Sequence, residues 1–341
     1  TVPAATAYHT TFVLGGRLYA AGGVGGNGVY YSSFNIAGSL NAWQKATAVV
    51  PDTSLYYSAK AVYNGRVYIL GGALSASTAT VKYASPGADG NIASWTDNPA
   101  YYLPEPLRFH QAEILTMSVG ASTRAFVYTL GGTIDNDRSS HVFVSRISED
   151  GSLSPWRATT PLPQAMWRHK TVVFNNRIYV IGGVNVIGSN LSTVYSAAMA
   201  DAQGSLGAWR TETALIDYMY SGAAAVFNNR LYSIGGAAGF TVSYSTIAAD
   251  GTLSAWVRDT AFASGGANKW LDGGFATYGK RMYLVAGEAA GANTANVYMA
   301  DFPISGVASS ANVELTVSFN ADSSDSGGSG IHAAPNRIEI S

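Results

Sequence analysis

Residues 176–183 read Asn-Arg-Ile-Tyr-Val-Ile-Gly-Gly, an apolar run with a central tyrosine that ends in a glycine pair. A tyrosine stands at the same distance before such a pair in six places. The six copies are Tyr19/Gly22-Gly23, Tyr68/Gly71-Gly72, Tyr128/Gly131-Gly132, Tyr179/Gly182-Gly183, Tyr232/Gly235-Gly236 and Tyr283/Ala286-Gly287. A period of about 50 residues along almost the whole chain is typical of a repeat architecture.

Each unit carries further features in the same order. An arginine in a polar turn precedes the tyrosine in five units: Arg17, Arg66, Arg177, Arg230 and Arg281. A second aromatic residue follows the glycine pair: Tyr31, Tyr83, Phe143, Tyr195, Tyr244 and Tyr298. Five units close with a glycine five residues before a tryptophan: Gly38/Trp43, Gly90/Trp95, Gly151/Trp156, Gly204/Trp209 and Gly251/Trp256. The sixth unit has Gly306 at this place but Ala311 where the tryptophan is expected.

Each unit contains four short runs rich in Val, Tyr, Phe and Thr, separated by turn signals. In the fourth unit we predict strands at about His169–Phe174, Arg177–Gly182, Thr193–Ala198 and Ala208–Thr213. Four antiparallel strands cannot bury both of their faces alone, whereas six such sheets packed radially can. The sequence therefore predicts an all-β, six-bladed β-propeller with four antiparallel strands per blade.

The order of apolar strand, tyrosine, glycine pair, aromatic residue and tryptophan resembles the kelch repeat, over roughly residues 5–316. The resemblance implies a six-bladed kelch-like propeller over residues 1–319, with a short C-terminal tail at 320–341. We expect blades at about 1–50, 51–103, 104–162, 163–215, 216–262 and 263–319. A longer first hairpin, at Thr116–Arg124, is expected in the third blade, and the outer strand of the sixth at 311–319.

Composition narrows the classes of partner. Charged residues make up 12% of the chain and the net charge is −1, so neither nucleic acid nor an anionic membrane is an evident partner. No apolar run is long enough for a membrane span, and the absence of cysteine excludes disulfides and thiol chemistry. The neutral surface, rich in Ser and Thr, and the absence of an initiating Met lead us to expect an exported, extracellular or cell-surface protein.

The tail differs from the repeats. A Ser- and Gly-rich stretch begins after Asn320 and has the composition of a flexible linker. Residues 336–341 then alternate like a short strand, which must pair with something. Two interpretations stay open: the strand packs along this propeller, or it joins a neighbouring subunit or surface assembly.

The kelch resemblance implies that the loops leading into the first strands lie on one face, together with the loops after the glycine pairs. Aligned lead-in loops predict a mouth lined by aromatic residues, with three charged residues beside them. The aromatic residues are Tyr8, Tyr57, Phe109, Trp167, Tyr220 and Trp270, and the charged ones are Arg108, Arg168 and Asp272. Flat rings with polar neighbours suit a glycan or peptide ligand. In the alternative interpretation, these rings only plug the central channel.

Other chemistry has weaker support. His9, His110 and His169 occupy equivalent positions and would be candidate metal ligands, but the other units carry Ser58, Gly222 and Gly273 there, so we expect a structural role and no metal. Asp135-Asn136-Asp137 is expected to be a polar turn. No cofactor motif is present. The sequence favours a non-catalytic recognition protein; the alternatives are a subunit of an extracellular filament, joined through its tail, and a kelch-type sugar epimerase.

Overall fold

The computed structural model describes residues 1–3, 6–24, 26–51, 56–72, 76–120, 122–239, 241–261, 270–289, 292–302, 317–319 and 337–338. Within these ranges the chain is all-β, apart from one 3₁₀ turn at Pro99–Tyr101. The strands form six antiparallel sheets of consecutive strands, which are the six blades of a β-propeller. The predicted fold class is confirmed.

The first three blades have these strands. Blade 1 contains β1 (Thr10–Leu14), β2 (Arg17–Ala21), β3 (Val29–Ser33) and β4 (Gln44–Lys45). Blade 2 contains β5 (Ala59–Tyr63), β6 (Arg66–Leu70), β7 (Val81–Ala84) and β8 (Thr96–Asp97). Blade 3 contains β9 (Gln111–Val119), β10 (Ser122–Leu130), β13 (Val142–Ile147) and β14 (Arg157–Ala158), with a small hairpin of β11 (Thr133–Ile134) and β12 (Asp137–Arg138).

The last three blades follow the same plan. Blade 4 contains β16 (Lys170–Phe174), β17 (Arg177–Ile181), β19 (Val194–Ala198) and β20 (Arg210–Thr211), with the short pair β15 (Met166–Trp167) and β18 (Val184–Asn185). Blade 5 contains β21 (Ala223–Phe227), β22 (Arg230–Ile234), β23 (Thr241–Thr246) and β24 (Val257–Ala261). Blade 6 contains β25 (Trp270–Leu271), β26 (Gly274–Tyr278), β27 (Arg281–Ala289), β28 (Ala292–Asp301) and β29 (Val317–Phe319), and β30 (Arg337–Ile338) pairs with β29.

The observed strands agree with the predicted ones where both are defined. In the fourth blade the first three strands start or end within a residue of the predicted bounds, while the outer strand is shorter than predicted. The long hairpin of the third blade is present in β9 and β10. Residues 311–316 of the expected outer strand of blade 6 lie outside the described residues, as does most of the tail. The described part of the tail, β30, pairs antiparallel with β29 of the same chain.

The N-terminal segment joins the first blade to the sixth through backbone hydrogen bonds. The N–H of Val2 donates to the carbonyl of Ala295 (2.8 Å), and that of Thr6 to Thr294 (3.2 Å). In return, the N–H of Gly287 donates to the carbonyl of Thr6 (2.7 Å). These hydrogen bonds connect the segment before β1 with β27 and β28 of blade 6.

The hydrophobic core lies between the blades. The described residues form six buried clusters, and each cluster is shared by two neighbouring blades, including blades 6 and 1. Burial between blades explains why single repeats of this kind are not expected to be stable alone.

The repeat tyrosine links each blade to the next. Its ring is buried, and its hydroxyl donates to the carbonyl of the glycine that precedes the tryptophan in the following blade. These bonds join Tyr19 to Gly90 (2.8 Å), Tyr68 to Gly151 (2.6 Å), Tyr128 to Gly204 (2.7 Å), Tyr179 to Gly251 (2.8 Å) and Tyr283 to Gly38. The sixth counterpart, Gly306, lies outside the described residues. The repeat tyrosine and the glycine before the tryptophan, which are separate features of the sequence, therefore bind each other across the interface between blades.

The glycine pair is where neighbouring lead-in loops approach most closely. A Cβ on Gly182 would lie 2.0 Å from the carbonyl oxygen of Met219 in the next blade, and one on Gly71 would lie 2.4 Å from that of Leu107. The N–H of Gly183 donates to the same Met219 oxygen (2.7 Å). At Gly182 and Gly71, glycine accommodates both the positive φ and this close contact, in which a side chain would collide.

Candidate recognition face

One residue from each lead-in loop contributes to a closed ring of backbone hydrogen bonds around the propeller axis. The N–H of each donates to the carbonyl of its counterpart in the preceding blade, over 2.7–3.4 Å. The six residues, all with φ between 52° and 60°, are Tyr8, Tyr57, Phe109, Arg168, Ser221 and Asp272. We call them the hydrogen-bonded ring, and the side of the propeller that carries it the ring face. A left-handed backbone costs about 1–2 kcal/mol at a residue with a side chain, so the closed ring is what maintains it.

Four aromatic side chains pack in sequence across the ring face. Tyr8 meets Tyr57 edge to face with centroids 4.5 Å apart, and Tyr57 stacks on Phe109 at 3.6 Å. Phe109 meets Trp167 edge to face at 4.7 Å. All four side chains are half-buried. This aromatic arc (Tyr8, Tyr57, Phe109 and Trp167) therefore fills the end of the channel while its side chains remain partly exposed.

An ion pair completes the arc. The Arg168 guanidinium lies 4.8 Å from the ring centroids of both Phe109 and Trp167, and its Nη1 is 3.6 Å from Oδ2 of Asp272. Burial raises the pKa of the Asp272 carboxyl, and the Arg168 charge opposes that shift. Burial and the nearby Asp272 carboxylate raise the pKa of the Tyr8 hydroxyl, which donates to Glu288 Oε2 over 3.4 Å.

The remaining predicted site residues lie at the edge of this arrangement or apart from it. The guanidinium of Arg108 is 5.9 Å from the Phe109 ring centroid, but it turns toward the small hairpin of blade 3, where its Nη2 donates to the carbonyl of Asp135 (2.6 Å). Tyr220 is half-buried and stacks on Tyr218, with centroids 6.5 Å apart. The backbone of Trp270 begins β25, but its side chain lies outside the described part of the structure.

The three equivalent histidines lie in three different blade interfaces. A Cβ on Gly71 would come within 2.8 Å of the His110 ring, and one on Gly131 within 2.9 Å of the His169 ring. The His9 ring meets Gly274 of blade 6 in the same way. Burial lowers the pKa of each of the three imidazoles to about 3. Within the described ranges, no three His, Asp or Glu side chains are grouped as metal ligands would be.

Several residues of the ring face were not anticipated from the sequence. Glu288, which follows the sixth glycine position directly, accepts the Tyr8 hydroxyl. Two neighbouring loops of blades 4 and 5 expose apolar side chains, namely Val186, Ile187, Ile216 and Tyr218. Ile187 is 82% exposed and Val186 58%. We call these four residues the apolar rim. Their signal in the sequence is a pair of branched aliphatic residues inside a turn between Asn185 and Gly188, where polar residues are usual.

Comparison with known proteins supports the fold. The Kelch motif matches residues 168–196, which run from the hydrogen-bonded ring into the third strand of blade 4. No curated protein matches the sequence. A solved structure described as "Structure of YjhT" aligns over 93% of this chain and 98% of that chain, with a TM-score of 0.68 and 15% identity. An identity this low supports a shared fold alone. No helix in the described residues is long and apolar enough to cross a membrane.

Proposed function

We propose that this kelch-type six-bladed propeller is a non-catalytic recognition protein, exported to the cell surface, that binds a glycan or protein ligand through its ring face. The observation that supports this most is the aromatic arc with the Arg168–Asp272 pair beside it. Exposed aromatic edges next to a fixed charge pair combine apolar contact with polar orientation.

The rigidity of the face supports the same proposal. The six residues of the hydrogen-bonded ring have their backbone fixed by one another. A ligand that docks on them would pay little to order the backbone, which is a main cost of binding on flexible loops. Arg168, positioned over two rings, offers donors beyond the one facing Asp272.

The apolar rim widens the surface. Exposed apolar side chains on adjacent loops are typical of interaction sites, whereas single exposed ones are common everywhere. The loop of blade 4 is tied to that of blade 5 by the N–H of Met219, which donates to the carbonyl of Leu191 (3.1 Å). Kelch propellers generally mediate protein interactions, and a rim of this kind next to Trp167 suits such a partner.

The experiment begins with a glycan array probed with the wild-type protein, the Trp167→Ala variant and the Tyr278→Ala variant. Tyr278 is an exposed aromatic residue at the opposite end of the innermost strand of blade 6, so it controls for nonspecific aromatic contact. We expect Trp167→Ala to lose at least about tenfold in affinity, a typical cost for an aromatic anchor. The Tyr278→Ala variant should bind like the wild type.

A protein ligand is tested in a second arm by placing a photo-crosslinking amino acid at position 187 or at position 278. Specific crosslinks at 187 alone, competed by unlabelled wild-type protein, would support the ring face as a protein-binding surface. The absence of any glycan signal, together with equal crosslinking at the two positions, would refute the proposal.

A further inference from the structure

The innermost strands of the six blades enclose a central channel behind the hydrogen-bonded ring. Its cavity has a volume of about 500 Å³ and extends from His9 to the level of Val13, Val62 and Thr277. This volume lies in the range of small-molecule sites. Because the aromatic arc fills the ring end, access to the cavity is from the end at Thr277, whose side chain is exposed.

One side of the channel carries the charged groups. Lys60 of β5, Glu113 of β9 and Lys170 of β16 all line the cavity and come from three adjacent blades. Glu113 accepts a hydrogen bond from the Thr171 hydroxyl (2.7 Å). Among the described residues, no carboxylate oxygen lies within 4.0 Å of either lysine ammonium group. Two cations therefore face the cavity with no carboxylate in direct contact, although Glu113 acts electrostatically on Lys60, and Asp272 on Lys170.

The opposite side of the channel is built from small residues. Blades 5 and 6 contribute Gly222, Ala223, Ala224, Gly273 and Gly274 to the lining. Side chains of this size leave the space in front of the lysines open. The channel is thus asymmetric, with charge on one wall and room on the other.

We propose that this channel binds a small oxyanion, a carboxylate or a phosphate group, held by the ammonium groups of Lys60 and Lys170. Positive charge removed from bulk water is costly unless it is paired, and an oxyanion supplies the missing charge. The Thr171 hydroxyl orients Glu113 beside the site. Burial favours the acid form of the Glu113 carboxyl group, which can then donate a hydrogen bond to the ligand. This site lies behind the recognition face, whose Asp272 and Arg168 act electrostatically on Lys170, but the proposal does not depend on the function proposed for that face.

The electrostatics of the channel agree with this assignment. Burial and the Lys170 charge lower the pKa of Lys60 to about 8, and burial lowers the pKa of Lys170 as well. Burial raises the pKa of Glu113 to about 7, opposed by its Thr171 hydrogen bond and by Lys60. Below pH 7 Glu113 is protonated while Lys60 stays charged, so the net positive charge of the channel rises as the pH falls from 8 to 6. The affinity for acetate, which stays ionised over this range, should rise with it.

The test is isothermal titration calorimetry of the full chain with inorganic phosphate and, separately, with acetate, in a zwitterionic buffer at constant ionic strength. We expect saturable binding at one site for at least one of the two anions. The anion that binds more tightly indicates whether the site recognises a phosphate or a carboxylate group. Lys60→Met and Lys170→Met should each weaken binding at least tenfold. Lys45→Met, which replaces an exposed lysine on β4, should leave the affinity within about twofold.

The variants are expected to fold, because in each substitution an apolar side chain of similar length replaces a partly buried ammonium group that has no carboxylate in direct contact. A measurement on the wild type alone provides an independent test: the NMR pKa of the Lys60 amine should rise when phosphate or acetate is added. Absence of saturable binding of both anions, affinities unchanged in both methionine variants, or a Lys60 pKa insensitive to the anions would each overturn the proposal.

Discussion

At the residue scale, the repeat glycines make a prediction that separates backbone strain from steric collision. Gly182 and Gly120 have nearly the same φ, 63° and 61°, but an added Cβ meets the Met219 carbonyl at 2.0 Å in the first and nothing within 4 Å in the second. Gly120→Ala should cost about 1 kcal/mol of unfolding free energy. Gly182→Ala should cost a further 1–3 kcal/mol or more, because the blade 5 loop must move. Denaturant unfolding measures both, and equal losses would contradict the proposed contact between blades.

The tyrosine hydroxyls make a second prediction at this scale. Tyr128→Phe removes the donor to Gly204 without changing the packing of the ring. Since the carbonyl is then left unpaired in a buried place, we expect a loss of about 1–2 kcal/mol in the free energy of unfolding. Tyr278→Phe, at an exposed position, is the matched control and should have almost no effect. A Tyr128→Phe variant as stable as the control would mean that the hydroxyl does not link the blades.

The sequence indicated which repeat residues matter but not which residues of the neighbouring blade they contact. Tyrosine, arginine and glycine each recur at a fixed place, so their importance was visible. That Tyr179 reaches Gly251 depends on the angle between consecutive blades, which no single repeat encodes. The same holds for the histidines: His110 packs on a glycine of the preceding blade, and its position in the repeat gave no sign of this.

At the element scale, the sequence predicted the bounds of buried strands more accurately than those of exposed strands. The inner strand β17 follows its predicted span because alternate apolar side chains enter two interfaces. The outer strand of the same blade was predicted over six residues, yet only Arg210–Thr211 pair as β20. Outer strands bury little, so composition defines their ends poorly.

The tail strand carries the element-scale prediction. β30 pairs with β29 inside one chain, so hydrogen exchange at Val317–Phe319 should not depend on protein concentration. Truncation after residue 319 should speed exchange there while leaving blades 1–5 unchanged. Protection that disappears on dilution of the full chain would instead indicate pairing with a neighbouring subunit, which is the filament interpretation.

At the scale of the whole molecule, the site was predicted only in part. Alignment of the lead-in loops identified all four residues of the aromatic arc and all of the hydrogen-bonded ring except Ser221, since these positions recur in every repeat. The direction of Arg108 was not predictable, because a local hairpin with Asp135 at its turn captures its guanidinium group. The channel lysines were missed because Lys60 and Lys170 come from different repeats and meet only when the ring closes.

Closure of the ring also sets how stability depends on pH. Three imidazoles are buried with pKa values of about 3, against about 6.5 when unfolded. A folded pKa below the unfolded one means that stability is lost as the pH falls below 6.5, because the unfolded chain binds more protons. Each histidine contributes a slope of about 1.4 kcal/mol per pH unit, so the three together contribute about 4. Glu113, with its pKa raised to about 7, opposes them by about 1.4 kcal/mol per unit between pH 7 and 5.

The His110→Ser variant tests this balance, since blade 2 carries Ser58 at the same place. Its unfolding free energy, measured at pH 7, 6 and 5, should fall with a slope smaller by about 1.4 kcal/mol per unit than in the wild type, whatever its stability at pH 7. A wild-type slope near zero between pH 6 and 5 would show that the interfaces admit charged imidazoles. The packing of histidine rings on the glycines of the preceding blade would then have to loosen as the pH falls.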